Sequence, residues 1–273
     1  RQPPMGYNTW NDMGCAGLTE FGVRAAAEAL IATGLRDAGY VYVNLDDCWH
    51  APMRDRVDGR LRADPLRFPS GIVALSDFLH ARGLRLGIYT DRGERTCAGR
   101  PGSYGHEAMD AVTFAEWGVD FVKEDNCNAR TGPNDLDALF SEFGRMRDAL
   151  NSTGRPMFFS VCGGGDQWPF ANLSYYATDR RGGSALANAW RVSSDCVGWS
   201  TCKFAYEIAA SLADMARPGG FNDPDMLLGS SPGAVRRLSR EHSRTQFNIW
   251  AVVMAPLLIG ARLADLDAYD LET

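Results

Sequence analysis

Short runs of β-forming apolar residues alternate along the chain with segments whose apolar residues recur every three or four positions. The runs predict eight strands, because β-branched and aromatic residues bounded by glycine, asparagine or aspartate are typical of strands. These strands are predicted at residues 5–10, 40–45, 84–91, 119–125, 157–161, 188–195 and 255–259, with a short one inside 219–227. The segments with helical spacing predict helices at residues 20–32, 71–82, 106–117, 136–150, 204–216 and 237–251, the first capped by Thr19.

The alternation of strand and helix indicates parallel strands joined by helical crossovers. Eight such units in 273 residues match the size of a (β/α)8 TIM barrel, and a doubly wound open sheet is the competing α/β architecture. The open sheet is disfavoured because residues 6–10 lack the glycine-rich turn that binds a dinucleotide. Four predicted strands also end in aspartate, and only a barrel brings all its strand ends into one bowl; these residues are Asp46, Asp47, Asp91, Asp125 and Asp195. We therefore expect one barrel domain over residues 1–273, with no linker dividing it.

Composition narrows the class of partner and compartment. A formal charge of −6 and a pI near 5.3 argue against nucleic acid and anionic membranes as partners. The sequence contains no apolar run of the roughly 20 residues that a membrane span requires. Seven scattered cysteines without a C-x-x-C pair favour disulfides in an oxidising compartment over a zinc site, and their odd number leaves at least one thiol unpaired within the chain. Glycosylation sequons at Asn151 and Asn172 fit a secreted protein.

The segment 119–128 begins as a buried strand and ends in charged residues. Side chains alternate along a strand, so Lys123 and Asp125 are expected on the same face. An ammonium group beside a carboxylate keeps that carboxylate ionised, which is the state a covalent nucleophile needs. The alternative interpretation is a strand end that carries only a salt bridge.

Several carboxylates in one bowl have three physical explanations: a metal site, a sugar site in which two acids perform the chemistry, or a network of acids paired with arginine and lysine. Only four histidines occur, without metal-ligand spacing, which disfavours zinc and leaves magnesium open. Aromatic residues adjoin the acids and favour carbohydrate, because the apolar faces of sugars pack on aromatic rings. These residues are Trp10, Trp49, Tyr89, Trp190 and Trp199.

Six segments in order resemble the motifs of glycoside hydrolase family 27, the α-galactosidases or melibiases. They are PPMGYNTWN at 3–11, LDDCW at 45–49, GIYTD at 87–91, KEDNC at 123–127, WRVSSD at 190–195 and NDPDML at 222–227. The resemblance implies a (β/α)8 catalytic barrel that hydrolyses terminal α-D-galactosyl residues by a retaining double displacement, with no metal and no cofactor. By motif match Asp125 is the nucleophile and Asp195 the general acid/base. We expect burial without a charged partner to raise the pKa of Asp195, as the acid role requires.

The same resemblance supplies the other expected site residues. The sugar contacts carry over to Trp10, Asp46, Asp47, Tyr89, Lys123, Arg191 and Asp225, and Lys123 is expected to keep Asp125 charged. Asp46 and Asp47 would accept bonds from hydroxyls at the far end of the ring and favour the axial 4-hydroxyl of galactose. Family likeness also pairs Cys15 with Cys48 and Cys97 with Cys127. Cys196 and Cys202 are near enough in sequence to form a third bridge, which leaves Cys162 free, facing the sugar's 2-hydroxyl or simply buried.

The chain departs from the family in two places. Gly163–Gly165 stand where the family has bulkier residues that read carbon 2, so an α-N-acetylgalactosaminidase and a β-L-arabinopyranosidase remain alternatives. The sequence ends at Thr273, soon after the eighth strand, so the family's C-terminal β-sandwich domain is absent from it and the barrel is expected to be truncated. A magnesium-dependent barrel enzyme and a non-catalytic galactose-binding barrel are more distant alternatives. The expected partner is a small carbohydrate, and the expected location is secreted, lysosomal or vacuolar.

Overall fold

A computed structural model describes residues 2–131, 135–162, 183–231 and 236–273. Eight parallel strands form one curved sheet in which consecutive strands are neighbours from β1 to β7, and β1 also pairs with β8. The strands are β1 (Met5–Asn8), β2 (Tyr42–Asn44), β3 (Arg85–Asp91), β4 (Phe121–Asp125), β5 (Phe158–Val161), β6 (Ala189–Arg191), β7 (Phe221–Asp223) and β8 (Leu257–Ile259). A parallel bridge between Leu227 and Ile259 joins the segment after β7 to β8. The predicted (β/α)8 architecture is confirmed, and the doubly wound open sheet is wrong.

Helices connect the strands around the outside of the sheet. They are α1 (Trp10–Gly17), α2 (Glu20–Ala32), α3 (Gly71–His80), α4 (Glu107–Glu116), α5 (Leu136–Ser152), α6 (Gly183–Leu186), α7 (Trp199–Ser211), α8 (Arg240–Val252) and α9 (Ala268–Leu271), with short 3-10 turns at Ala213–Met215 and Leu263–Asp265. The predicted cap is confirmed, since the hydroxyl oxygen of Thr19 accepts the N–H of Gly22. None of the helices in the described ranges is long and apolar enough to cross a bilayer.

Most elements begin or end a few residues away from their predicted bounds, and three of the differences concern segments next to the cavity. Helix α1 was not predicted, because Gly14 interrupts its helical backbone with a φ of 50° and leaves too short an apolar pattern. The predicted helix 204–216 starts five residues earlier, at Trp199, because the Thr201 hydroxyl accepts the N–H groups of Val197 and Gly198 at its first turn. The predicted strand 188–195 stops at Arg191, so Asp195 lies in a loop rather than on a strand.

The interior of the barrel is divided into an apolar floor and a polar mouth. Tyr42, Phe121, Met226 and Leu258 form a buried cluster, and the Phe121 ring lies 5.6 Å from that of Tyr42 and 5.0 Å from that of Phe158. Aromatic contacts of this kind fill the lower layers of a small barrel. The polar side chains therefore face the other end, where the carboxyl ends of the strands meet.

Candidate active site

Nine of the ten predicted site residues line one cavity of about 670 Å³ at the carboxyl ends of the strands. Each lies at the carboxyl end of a strand or in the segment that follows it, so the side chains are arranged around the cavity in the order of the strands. The nine are Trp10, Asp46, Asp47, Tyr89, Lys123, Asp125, Cys162, Arg191 and Asp195. The tenth, Asp225, lies deeper, beside a small internal cavity that it shares with Lys123 and Arg191.

Asp46 and Asp47 are nearly inaccessible, with exposed fractions of 3% and 2%. The side chain of Asp46 accepts hydrogen bonds from Asn8 Nδ2 at 2.9 Å and Lys123 Nζ at 2.8 Å through Oδ2, and from the N–H of Asp47 through Oδ1. Burial raises the pKa of Asp47, although its hydrogen bonds oppose that rise. Both carboxylates are thus held rigidly by donors and present their remaining lone pairs to the cavity.

The loop that holds Asp47 was not identified from the sequence. Thr96 Oγ1 donates to Asp47 Oδ1 at 2.9 Å, and the N–H of Ala98 donates to Oδ2 at 2.8 Å. The only available signal was Cys97 between them, whose bridge to Cys127 fixes this loop at the mouth of the barrel. Side chains in an irregular loop leave no periodic pattern, so their role emerges only from the fold.

Asp125 receives two hydrogen bonds within the cavity. Tyr89 Oη donates to its Oδ2 at 3.0 Å, and the N–H of Asn126 donates to Oδ1 at 2.9 Å. Burial and neighbouring acids raise the pKa of Tyr89 well above its usual value, so the phenol keeps its proton and remains a donor. Burial also raises the pKa of Asp125, while the charge of Lys123 and the two hydrogen bonds act to lower it.

Lys123 shares the inner face of β4 with Asp125, as the strand alternation predicted, but it does not bond to that carboxylate. Its ammonium group pairs with Asp46 at 2.8 Å and lies 5.1 Å from the centre of the Tyr89 ring. The prediction that Lys123 keeps Asp125 charged is therefore corrected to an effect of charge through space, transmitted without a direct hydrogen bond.

Asp195 has a charged partner, contrary to the prediction. Its side chain is 54% exposed, and Arg191 donates to its Oδ1 at 3.1 Å. Burial raises the pKa of Asp195, but the charges of Arg191 and Lys123 and the hydrogen bond from Arg191 outweigh that effect and lower it below the usual value. The expected rise is wrong because the residue lies in a loop beside a guanidinium group instead of on a buried strand end.

Arg191 lies between two carboxylates, those of Asp195 and Asp225, and pairs with both. Its guanidinium group lies 3.1 Å from Asp195 Oδ1 and 3.3 Å from Asp225 Oδ2, and it is almost fully buried. Asp225 also accepts the N–H of Cys196 at 2.7 Å, and burial raises its pKa to about 6 in spite of the guanidinium charge. The geometry makes Asp225 the support of Arg191 and of the loop that carries Asp195.

The predicted disulfides Cys15–Cys48 and Cys97–Cys127 are present, and so is the third bridge, Cys196–Cys202. Cys162 is the free cysteine, and its thiol is buried at the cavity wall, 3.6 Å from a guanidinium nitrogen of Arg191. Burial and the charge of Asp125 raise the pKa of Cys162 well above its usual value, so the group is a neutral thiol at physiological pH. The glycines 163–165 and the sequon at Asn172 lie outside the described residues.

One group of potential metal ligands occurs among the described residues, formed by Asp91, Cys97, Asp125 and Cys127, whose ligand atoms lie within 4.8 Å of one another. The two sulfur atoms are joined in a disulfide and cannot act as thiolates. The Asp91 oxygens accept N–H groups from Gly93 at 2.7 Å and Cys127 at 2.8 Å. Asp91 thus anchors the loops behind Asp125, and the donor set does not suit a transition metal.

Comparisons with known proteins agree with this geometry. A family model described as alpha galactosidase A (Melibiase_2) matches residues 2–272, so the chain belongs to the melibiase family of α-galactosidases. The α-galactosidase A of Cellvibrio japonicus is 40% identical over 97% of this chain and 63% of its own length. The α-galactosidase of Cyamopsis tetragonoloba is 41% identical over 97% of this chain and 60% of its own length. The chain therefore spans about three fifths of the length of the curated relatives it matches.

Solved structures of related proteins have the same fold. The crystal structure of α-galactosidase I from Mortierella vinacea aligns with a TM-score of 0.87 at 34% identity, covering 99% of this chain and 70% of the other. The structure of an α-galactosidase from Saccharomyces cerevisiae with raffinose aligns with a TM-score of 0.85 at 33% identity, covering 99% of this chain and 61% of the other. The barrel assignment thus rests on both the strand pairing and these alignments.

Proposed function

We propose that this chain carries the catalytic barrel of a retaining exo-glycosidase that hydrolyses terminal α-D-galactosyl residues. The observation that carries the proposal is that Asp125 and Asp195, from β4 and from the loop after β6, line the same cavity. Family membership and relatives named α-galactosidases support the choice of galactose over N-acetylgalactosamine and β-L-arabinopyranose. The substrate class is an oligosaccharide or glycoconjugate that ends in an α-galactosyl residue.

The first half of the reaction forms a covalent intermediate. The carboxylate of Asp125 attacks the anomeric carbon, and the bond between that carbon and the glycosidic oxygen breaks with its electron pair passing to the oxygen. Asp195 gives its proton to this oxygen, and the aglycone leaves as an alcohol. Tyr89 and the N–H of Asn126, which donate to Asp125, orient the attacking carboxylate.

The second half regenerates the enzyme. A water molecule gives a proton to the carboxylate of Asp195 and attacks the anomeric carbon, so that the ester bond to Asp125 breaks and Asp125 leaves as a carboxylate. Two inversions give net retention of the anomeric configuration. Asp46, Asp47 and Lys123 form the wall that binds ring hydroxyls, and a sugar without the matching hydroxyl would displace water from these groups without bonding to their remaining donor and acceptor positions.

The proposal is tested by assaying an aryl α-D-galactoside and an aryl N-acetyl-α-D-galactosaminide side by side, with and without a chelator. We expect turnover of the galactoside alone, unaffected by the chelator. The Asp125→Ala variant should lose turnover and regain part of it in azide, giving the β-galactosyl azide. The matched control is Asp214→Ala, at an exposed aspartate in the 3-10 turn after α7, which should keep full activity.

Each remaining outcome has a distinct meaning. Preferential turnover of the galactosaminide would replace the proposed substrate, and loss of activity in chelator would support a metal-dependent reaction. Binding of the galactoside without turnover would make the chain a galactose-binding barrel. Undiminished activity of Asp125→Ala would remove the role proposed for that residue.

The three disulfides support a proposed location outside the reducing cytosol, in a secreted, lysosomal or vacuolar setting. The sequon residue Asn151 is exposed near the end of α5, so its side chain is accessible to glycosylation. Mass measurement of the protein from its native source, before and after reduction and deglycosylation, tests both statements.

A further inference from the structure

The loop 192–198 carries Asp195 between β6 and α7 and has few main-chain anchors. At its start the N–H of Val192 donates to the carbonyl of Asp223 at 3.0 Å, and further along the N–H of Cys196 donates to Asp225 Oδ2 at 2.7 Å. Asp195 lies between these two anchors with a half-exposed side chain. Arg191 holds the near side of the loop, through the Ser193 carbonyl at 3.3 Å and the Asp195 carboxylate at 3.1 Å, so the attachment of the far side is the remaining determinant of where Asp195 lies.

The far side of the loop is fixed by the Cys196–Cys202 disulfide. It joins the residue directly after Asp195 to the first turns of α7, with 4.7 Å between the two Cα atoms, and both cysteines are fully buried. Thr201 reinforces this attachment, because its hydroxyl oxygen accepts the N–H of Val197 at 2.9 Å and of Gly198 at 3.1 Å. The loop is thus tied to the start of α7 by a covalent bond and two hydrogen bonds.

The disulfide is docked in turn on α8 and on the segment that follows β7. Gln246 of α8 is 1% exposed, and its Nε2 lies 3.3 Å from Cys196 Sγ and 3.6 Å from Cys202 Sγ. The same nitrogen donates to the carbonyl of Met226 at 3.0 Å, while Oε1 accepts the N–H of Leu228 at 3.0 Å. One buried amide therefore holds the bridge against the part of the barrel that supports Arg191.

The size of the ring indicates a local effect for this bridge. Its cysteines are 6 residues apart, against 33 for Cys15–Cys48 and 30 for Cys97–Cys127. The chain entropy that a disulfide removes from the unfolded state increases with ring size, so the shortest ring contributes least to global stability. Its main effect falls on the conformation of the residues next to it, of which Asp195 is one.

We propose that the Cys196–Cys202 disulfide, held by Gln246, is a positioning element for Asp195 as proton donor, an inference that rests on the hydrolase function proposed above. Proton transfer requires the carboxyl group to lie within hydrogen-bond reach of the leaving oxygen. A displacement of about 1 Å is enough to lower the rate strongly. The bridge sets this distance by fixing the main chain one residue away.

The experiment compares two α-galactosides that differ in their need for a proton. Raffinose releases a sugar alkoxide, which leaves only when protonated, whereas a dinitrophenyl α-galactoside releases a stable phenolate without help. In the Cys196→Ala/Cys202→Ala variant we expect kcat/KM for raffinose to fall by about tenfold or more, and kcat/KM for the dinitrophenyl substrate by less than about threefold. A role in stability alone would lower both values equally, through the amount of folded protein.

A second variant, Cys196→Val/Cys202→Ala, refills most of the sulfur volume without the covalent bond and should show the same dependence on the leaving group. Equal losses on both substrates in folded variants, or no loss, would overturn the positioning role and leave the proposed function intact. Failure of both variants to fold would overturn it as well, because the bridge would then be a requirement of folding. A wild-type protein that hydrolyses neither substrate would instead refute the proposed function itself.

Discussion

Replacing Lys123 by methionine is predicted to weaken both the fold and the reaction. The substitution keeps an unbranched side chain of similar length and removes the ammonium group that pairs with Asp46 at 2.8 Å. The two side chains are 19% and 4% exposed, so the pair is largely shielded from water. Removing one partner of a buried pair costs about 3–5 kcal/mol, because the other charge stays buried without compensation. Asp46 keeps the donors Asn8 and Asp47 N, so we expect about 3 kcal/mol, the lower end of that range.

The pH dependence of the same variant has a defined sign. The charge of Lys123 lowers the pKa of both Asp125 and Asp195, so its loss raises both pKa values. In the proposed reaction the two limbs of the kcat/KM profile follow these two carboxyl groups. Both limbs, the acidic one included, should therefore move to higher pH, measured with an aryl α-galactoside, while urea unfolding gives the change in the free energy of unfolding.

The chain offers a matched control, because Lys203 is its only other lysine. Lys203 pairs with Glu207 at 3.6 Å on the surface of α7, where both side chains are about half exposed. Lys203→Met should change the free energy of unfolding by less than about 0.5 kcal/mol and leave the pH profile unchanged. The double variant Asp46→Asn/Lys123→Met should recover stability without recovering activity. Equal destabilisation by the two lysine variants, or an unmoved acidic limb, would refute the reasoning.

Three further predictions concern pH and packing. The proposed reaction needs Asp125 ionised and Asp195 protonated, while the pKa of Asp125 is raised and that of Asp195 is lowered. The plot of kcat/KM against pH should therefore be bell-shaped, with a maximum below about pH 6. A plateau that extends into alkaline pH would contradict this prediction. Glu124 is fully buried, its oxygens have no partner among the described residues, and burial raises its pKa well above the usual value. The carboxyl group ionises more readily in the unfolded chain, so the free energy of unfolding of the wild type falls as pH rises above about 4.3. Glu124→Gln lacks this ionisation, so its free energy of unfolding, measured in urea, should increase relative to that of the wild type between pH 4 and pH 8. Gly6→Ala would place a Cβ 2.2 Å from the carbonyl oxygen of Tyr42 and should lower the free energy of unfolding by at least about 1–3 kcal/mol, whereas Gly198→Ala meets open space and serves as the control.

The sequence predicted the barrel because its signal is repeated and local. The β-former runs that precede Asp46, Asp91 and Asp125 are the strands β2, β3 and β4, and Asp91 and Asp125 are paired in register on neighbouring strands. The motif resemblance then selected nine residues that line one cavity. Both patterns occupy only a few consecutive residues, so they can be recognised without knowledge of the tertiary structure.

The parts that were not predicted depend on contacts between distant segments. The partner of Lys123 is Asp46, 77 residues away, and strand alternation within β4 could not reveal it. Arg191 lowers the pKa of Asp195 because the strand ends at Arg191 and the following loop places the Asp195 carboxylate 3.1 Å from that guanidinium group, an arrangement with no sequence signature. Thr96 supports Asp47 from a loop that carries no periodic pattern.

The aromatic floor made by Tyr42, Phe121 and Phe158 packs beneath the polar side chains, and the cavity beside Asp225, which Phe121 also lines, amounts to only about 20 Å³. No sugar fits there, so in the proposed reaction entry and exit both use the cavity of about 670 Å³ at the carboxyl ends of the strands. On that mechanism the aglycone departs first, the hydrolytic water follows it inward, and free galactose leaves last. Galactose and fresh substrate accordingly compete for one route, and the liberated sugar should act as a competitive inhibitor of its own production.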